Sequence, residues 1–141
     1  MPADVLVDTS VWVESTRRPD GETGKTFTAL VSDDRAVLAA PVWTELRIGA
    51  RTPKDIEKLQ TYRAELSWIE PNTRTWERAG EMGARLKQSG VTVATIDVLL
   101  AQLAIDRGIT LFSLDTDFSL IAKHEPVKLY GRPARPSQAG I

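Results

Sequence analysis

Short apolar runs alternate along the chain with longer stretches in which apolar residues recur at helical spacing, and together they predict alternating strands and helices. Val5-Leu6-Val7, Ala36-Val37-Leu38-Ala39-Ala40 and Ile109-Thr110-Leu111-Phe112-Ser113 are runs bounded by polar residues, the pattern of strands buried on both faces of a parallel sheet. Trp68-Ile69 reads as a short edge strand and Val127-Lys128-Leu129-Tyr130 as a last one. A helix starting near Thr9 or Ser10 ends before Arg17-Arg18-Pro19-Asp20-Gly21, which is turn chemistry and predicts a mobile loop. The next helix runs from about Thr26 to Ser32, with Phe27, Leu30 and Val31 on one face. Pro41 opens a third, where its missing N–H is harmless in the first turn. Thr52-Pro53-Lys54-Asp55 opens a fourth, with Ile56, Leu59, Tyr62 and Leu66 as its stripe. From about Arg74 to Gln88 a fifth places Trp76, Ala79, Gly80, Gly83 and Leu86 on a face expected in the core. The most strongly patterned helix opens at Thr95-Ile96-Asp97, with Thr95 as its expected cap, and stops at Gly108.

This succession predicts an α/β fold, three layers of helix, sheet and helix, with a mainly parallel central sheet of four to five short strands. The 141 residues suit one domain with one core. We place that domain at 1–131 and expect the proline-rich tail, 132–141, to be poorly ordered. No apolar run approaches the roughly 20 residues that span a bilayer, and Met1-Pro2-Ala3-Asp4 lacks the features of a signal peptide. The expectation is a cytoplasmic protein without membrane contact.

Composition narrows the chemistry. The chain has no cysteine and a single histidine, His124, so thiol nucleophiles, thiolate zinc sites and multi-histidine centres are excluded. A metal would be held by oxygen, which favours Mg²⁺, Mn²⁺ or Ca²⁺. The net charge of −1 means that a nucleic-acid partner would meet a local basic patch. Gly21-Glu22-Thr23-Gly24-Lys25-Thr26 fails as a phosphate loop: the motif needs four residues between its glycines, and here there are two.

Four acids share one property. Asp8, Glu45, Asp97 and Asp115 each fall at a strand's carboxyl end or in an early turn of a helix facing that edge, where ligands bind in open α/β sheets. Each has a structural alternative. Asp8 or Thr9 could simply cap a helix, Glu45 could be a solvated surface residue, and Asp97 could serve the helix dipole for about 0.3–1 kcal/mol. Packing does not predict the coincidence, however, and other acids fail the test. Asp4 lies about 13 Å away along the strand, and Asp106 about 13 Å along its helix. Several carboxylates brought together repel unless a divalent cation sits among them or some are protonated. Ions so held suit phosphodiester hydrolysis.

Asp8-Thr9-Ser10, Thr44-Glu45-Leu46 with Gly49, the Asp97 helix and Ser113-Leu114-Asp115-Thr116-Asp117-Phe118 resemble, in order, the motifs of PIN-domain ribonucleases. In size and order the chain resembles the VapC toxins of toxin-antitoxin pairs, over about Asp4 to Gly131. The resemblance implies a PIN-like fold and an endoribonuclease in which Asp8, Glu45, Asp97 and Asp115 are catalytic and bind Mg²⁺ or Mn²⁺. Thr9, Ser10 and Ser113 would support them. Asp117 competes for the fourth role, and Asp115 is preferred as nearer the strand end. Also implied are an RNA substrate, a homodimer and a VapB-type antitoxin partner.

RNA must reach an acidic site, so flanking cations are expected, and Arg17, Arg18, Lys25, Arg47 and Arg51 are the candidates; a solvated helix face is their alternative reading. Two rivals stand beside the nuclease. One is a catalytically silent binding module of the same fold. The other is a phospho-receiver domain, which needs a paired acid after the first strand that Asp8-Thr9-Ser10 does not supply.

Overall fold

Four short strands, β1 (Val5–Val7), β2 (Ala36–Ala39), β3 (Ser67–Ile69) and β4 (Thr110–Phe112), form one parallel sheet in the order β3-β2-β1-β4. The computed structural model describes residues 3–131, and the tail expected at 132–141 lies outside the described residues. Between the strands run α1 (Thr9–Arg17), α2 (Glu22–Ser32), α3 (Ala40–Gly49), α4 (Pro53–Glu65), α5 (Thr73–Gln88) and α6 (Thr95–Arg107), with α7 (Thr116–Ala122) following β4. Among the described residues no helix is long and apolar enough to cross a membrane.

The strand order dictates the layers. The chain lays down β1, β2 and β3 in one direction, then returns past β1 to add β4 on its other side. Parallel crossovers are right-handed, so this reversal sends α1 to α4 and α5 to α6 to opposite faces. Both faces of β1 are thereby covered: Val5, Leu6 and Val7 are wholly buried, each contributing at most about 1.5–3 kcal/mol. Val7 pairs in register with Phe112. Asp8 and Ser113 therefore leave the sheet side by side.

Local signals explain most helix ends. Asn72 and Thr75 form a reciprocal capping box on α5, and Thr75 Oγ1 also donates to Asp106 at 2.9 Å, tying the start of α5 to the end of α6. Gly108, at φ 65°, closes α6 in the left-handed region. Arg85 grips Glu125 through two hydrogen bonds, which fastens the segment after α7 to α5.

Several boundaries differ from the sequence pattern. Helix α2 starts at Glu22, not Thr26, so the expected loop is shorter. Buried Gly24 permits this, because a Cβ there would lie 2.6 Å from the carbonyl oxygens of Arg18 and Pro19. The cap of α6 is Ala94, without a side-chain bond, and Thr95 is its first residue. Strand β4 spans Thr110–Phe112 and excludes Ile109 and Ser113. The expected last strand reduces to one parallel bridge, Leu111 to Leu129, because the chain after Pro126 follows the sheet for too few residues to extend a ladder. On α5, Ala79 and Leu86 are buried as expected, but Trp76 is 53% exposed and Gly80 also faces solvent.

Two glycine substitutions test this packing with opposite signs. Gly24→Ala should destabilise the fold by about 1–3 kcal/mol through overpacking. Gly80→Ala, whose Cβ meets nothing within 4 Å, should stabilise it by about 0.5–1 kcal/mol by removing a mid-helix glycine. Urea denaturation midpoints of the two variants check both.

Candidate active site at the carboxyl edge of the sheet

Asp8 is the N-cap of α1, and it is also the buried acid of the sheet edge. Its Oδ2 accepts from Ser10 Oγ at 2.8 Å, from Ser113 Oγ at 2.8 Å and from the Ser10 amide at 3.4 Å. The two serine oxygens stand 3.2 Å apart. Ser10 Oγ accepts from the Leu114 amide and Ser113 Oγ from the Asp115 amide, so two hydroxyls join the ends of β1 and β4. The capping role and the site role thus coexist in one side chain. Among the described residues Oδ1 accepts no hydrogen bond.

From α3, Glu45 receives the Thr9 hydroxyl at 2.8 Å. This contact explains why an exposed Glu one turn into a helix is held beside β1. Asp97, in the first turn of α6, is half-buried and meets Asp115 and Asp117 from the start of α7. One carboxylate oxygen from each of these three lies within 4.8 Å of the others. Asp115 also caps α7, accepting from the Asp117 amide at 2.9 Å. The structure therefore places both candidates for the fourth acid against Asp97.

Crowding leaves a clear electrostatic mark. Asp97 is pushed up from 3.8 to about 7, first by burial and then by the charges of Asp115, Asp8, Asp117 and Glu45. The α6 dipole works the other way, but at about 0.3–1 kcal/mol against 1.36 kcal/mol per pKa unit it shifts less than one unit. The other four acids thus all act on Asp97. Asp106 shows the contrast: burial alone would raise it, but hydrogen bonds from Gln102, Thr75 and Arg78 hold it below the usual value. It is a structural acid at the far end of α6, and Asp4 stays at the opposite edge before β1. An oxygen-only set around a half-buried carboxyl that prefers a proton fits a hard divalent cation.

The basic candidates divide. Arg17 lines a groove of about 280 Å³ between α1, α3 and α4 that opens beside Thr9 and Glu45. Arg47 and Arg51 are exposed at the end of α3. Arg18 sits 3.9 Å from Glu14, and Lys25 is on α2, which contributes to neither the acids nor the groove. Sequence reasoning missed Asp55, Lys58 and Tyr62 of α4 as residues beside the site. Tyr62 belongs to the apolar stripe of α4 and Asp55 to its opening turn, and no motif marks either of them or Lys58.

The PIN domain family model matches residues 5–124. No curated protein gives a significant match. Among solved structures the chain superposes on VapBC2 of Rickettsia felis bound to a DNA fragment from its promoter, with a TM-score of 0.75 and 19% identity over 89% of this chain and 96% of that one. DNA-bound VapBC of Salmonella typhimurium gives 0.76 and 17%, over 91% and 97%. VapC20 of Mycobacterium tuberculosis, a sarcin-ricin loop cleaving toxin, gives 0.64 and 18%, over 92% and 100%. At these identities the likeness is one of fold.

Asp97 makes the metal-free stability depend on pH with a definite sign. Its folded pKa, about 7, lies above the unfolded value of 3.8, so the folded state binds the proton more tightly. That contribution is complete below about pH 4 and is lost as pH rises through 7. In EDTA, thermal melts of the wild type should therefore lose stability between these limits, and Asp97→Asn should remove that part of the slope. Asp106→Asn should instead cost about 0.5–1.5 kcal/mol at neutral pH, because it weakens the hydrogen bonds that buried Thr75 and Gln102 make to the carboxylate of this exposed residue.

Proposed function

Because the chain belongs to the PIN domain family, we propose that it is a Mg²⁺- or Mn²⁺-dependent endoribonuclease acting as the toxin of a VapBC-type pair in the cytoplasm. One observation supports this reading: Asp97, Asp115 and Asp117 lie within 4.8 Å of one another at the carboxyl edge of the sheet, and the charges of Asp8 and Glu45 also act on Asp97. A family fold with a silent site would have no reason to keep that repulsion. That the structural neighbours are VapBC structures supports an antitoxin partner of VapB type, and the resemblance to VapC toxins supports a homodimer.

Asp8, Glu45, Asp97 and Asp115 would hold the cation, with Asp117 beside them. When bound, a divalent ion polarises a phosphoryl oxygen and offsets charge on the attacking and leaving oxygens of a phosphodiester. The chain's own residues prepare this. Ser10 and Ser113 fix Asp8 through Oδ2 and leave Oδ1 free to ligate, while Thr9 holds Glu45 toward the site. Asp97, pushed up to about 7 by burial and by the acids around it, would have to give up its proton to help hold a cation. Arg17, which lines the groove beside Thr9 and Glu45, would bind phosphates of the RNA backbone, with the exposed Arg47 and Arg51 as further candidates.

Three measurements test this. A cation that binds only the folded state should raise the melting temperature, worth about 2.7 kcal/mol at a hundredfold excess over Kd. Mn²⁺ affinity should fall as pH drops below about 7, because Asp97 must lose its proton. RNA should be cut by the wild type with Mn²⁺ and not by Asp8→Asn, which preserves the helix cap because Asn caps as well as Asp. A wild type that gains no stability from Mn²⁺ and cuts no RNA would leave the silent binding module as the better reading.

A further inference from the structure

The groove beside the acids is unexplained by catalysis alone. We propose that it seats one unpaired base of the RNA strand whose phosphodiester lies at the acid cluster, so that α3 and α4 select the base next to the cut. The inference rests on the ribonuclease reading and adds a specificity element to the same site.

Continuity comes first. Thr9 and Glu45 bond to each other in the acid site and also form one wall of the groove, so a strand fixed at the acids passes directly over its mouth. The remaining wall is mostly apolar, with Trp12, Leu46, Leu59 and Tyr62. Single-stranded RNA is read by splaying bases onto such aromatic and apolar surfaces. Phosphate contacts for an RNA strand are available: Arg17 and Lys58 are exposed on the lining, beside the acids Glu45 and Asp55, and neither cation has an ion-pair partner among the described residues. Two free cations beside an apolar slot suit a base flanked by its phosphates.

Two residues define the selection. Gly49 borders the groove, and a Cβ there would meet nothing within 4 Å, so its missing side chain is room left for the occupant. Asp55 is exposed at the other side and, ionised, only accepts hydrogen bonds. It therefore favours a base with an exocyclic amino group over uracil.

The test uses Gly49→Leu, which fills the slot from a position where the fold has space and lies outside the acid cluster. Binding of short unstructured RNA oligonucleotides is followed by fluorescence anisotropy, each sequence paired with a version carrying an abasic residue. The wild type should bind intact RNA about tenfold more tightly than the best-placed abasic version, and Gly49→Leu should lose that difference while keeping its Mn²⁺-induced rise in melting temperature. Replacing Arg17 and Lys58 by Ala should reduce the salt slope by about 1.4. Asp55→Asn should relax the bias against uracil in the cleavage products. If Gly49→Leu distinguishes abasic from intact RNA as the wild type does, the groove does not seat a base, whatever the fate of the cleavage reading. Loss of affinity for the antitoxin with RNA binding unchanged would assign the groove to the protein partner and overturn the proposal. A wild type that cuts no RNA would instead sink the parent reading, a result visible separately from the binding data.

Discussion

Everything at this site depends on the reversal of strand order between β1 and β4. In a parallel sheet all carboxyl ends face one edge, and at the reversal the connections on the two faces separate and leave a crevice. Asp8 and Ser113 stand at that point because Val7 and Phe112 are in register. The acids of α3, α6 and α7 reach the same crevice from both faces. No single helix could gather them.

The crevice sets attraction against repulsion. Around Asp8 the fold supplies hydroxyl and amide donors; around Asp97 it supplies no donor among the described residues and four neighbouring acids. The hydroxyl bridge between Ser10 and Ser113 fastens β1 to the edge strand β4 where carboxylate repulsion would push their ends apart. Donors at one acid and crowding at the next divide the site into a fixed half and a responsive half. Asp97 is the member whose protonation reports on what else is present.

Much of this was legible in the sequence, and the reason is physical. Continuous apolar runs such as Val5-Leu6-Val7 have few alternatives to a buried parallel strand, and an acid directly after one has its position fixed by backbone geometry. Asp8 could therefore be placed at the sheet edge before any coordinates. Contacts that depend on long-range packing could not. The early start of α2 rests on Gly24 fitting beneath two carbonyls, and the exposure of Trp76 on how α5 rolls against α6. Neither leaves a local pattern. Asp117 was ranked below Asp115 on strand proximity, yet one helical turn brings both to Asp97. The groove was invisible because the stripe of α4 looks the same whether it lines a core or a cleft.

The hydrogen bond from Ser113 to Asp8 joins positions 105 apart in the chain, which sets a clock on the ribosome. Synthesis proceeds at about 5–20 residues per second, so roughly 5–20 s separate the emergence of β1 from that of α7. Throughout that interval β1 has β2 beside it but an open edge where β4 belongs, and the acid cluster lacks Asp115 and Asp117. Closing so distant a contact is also the slow, entropically costly part of folding. The acid cluster is thus incomplete until nearly all of the chain has been made.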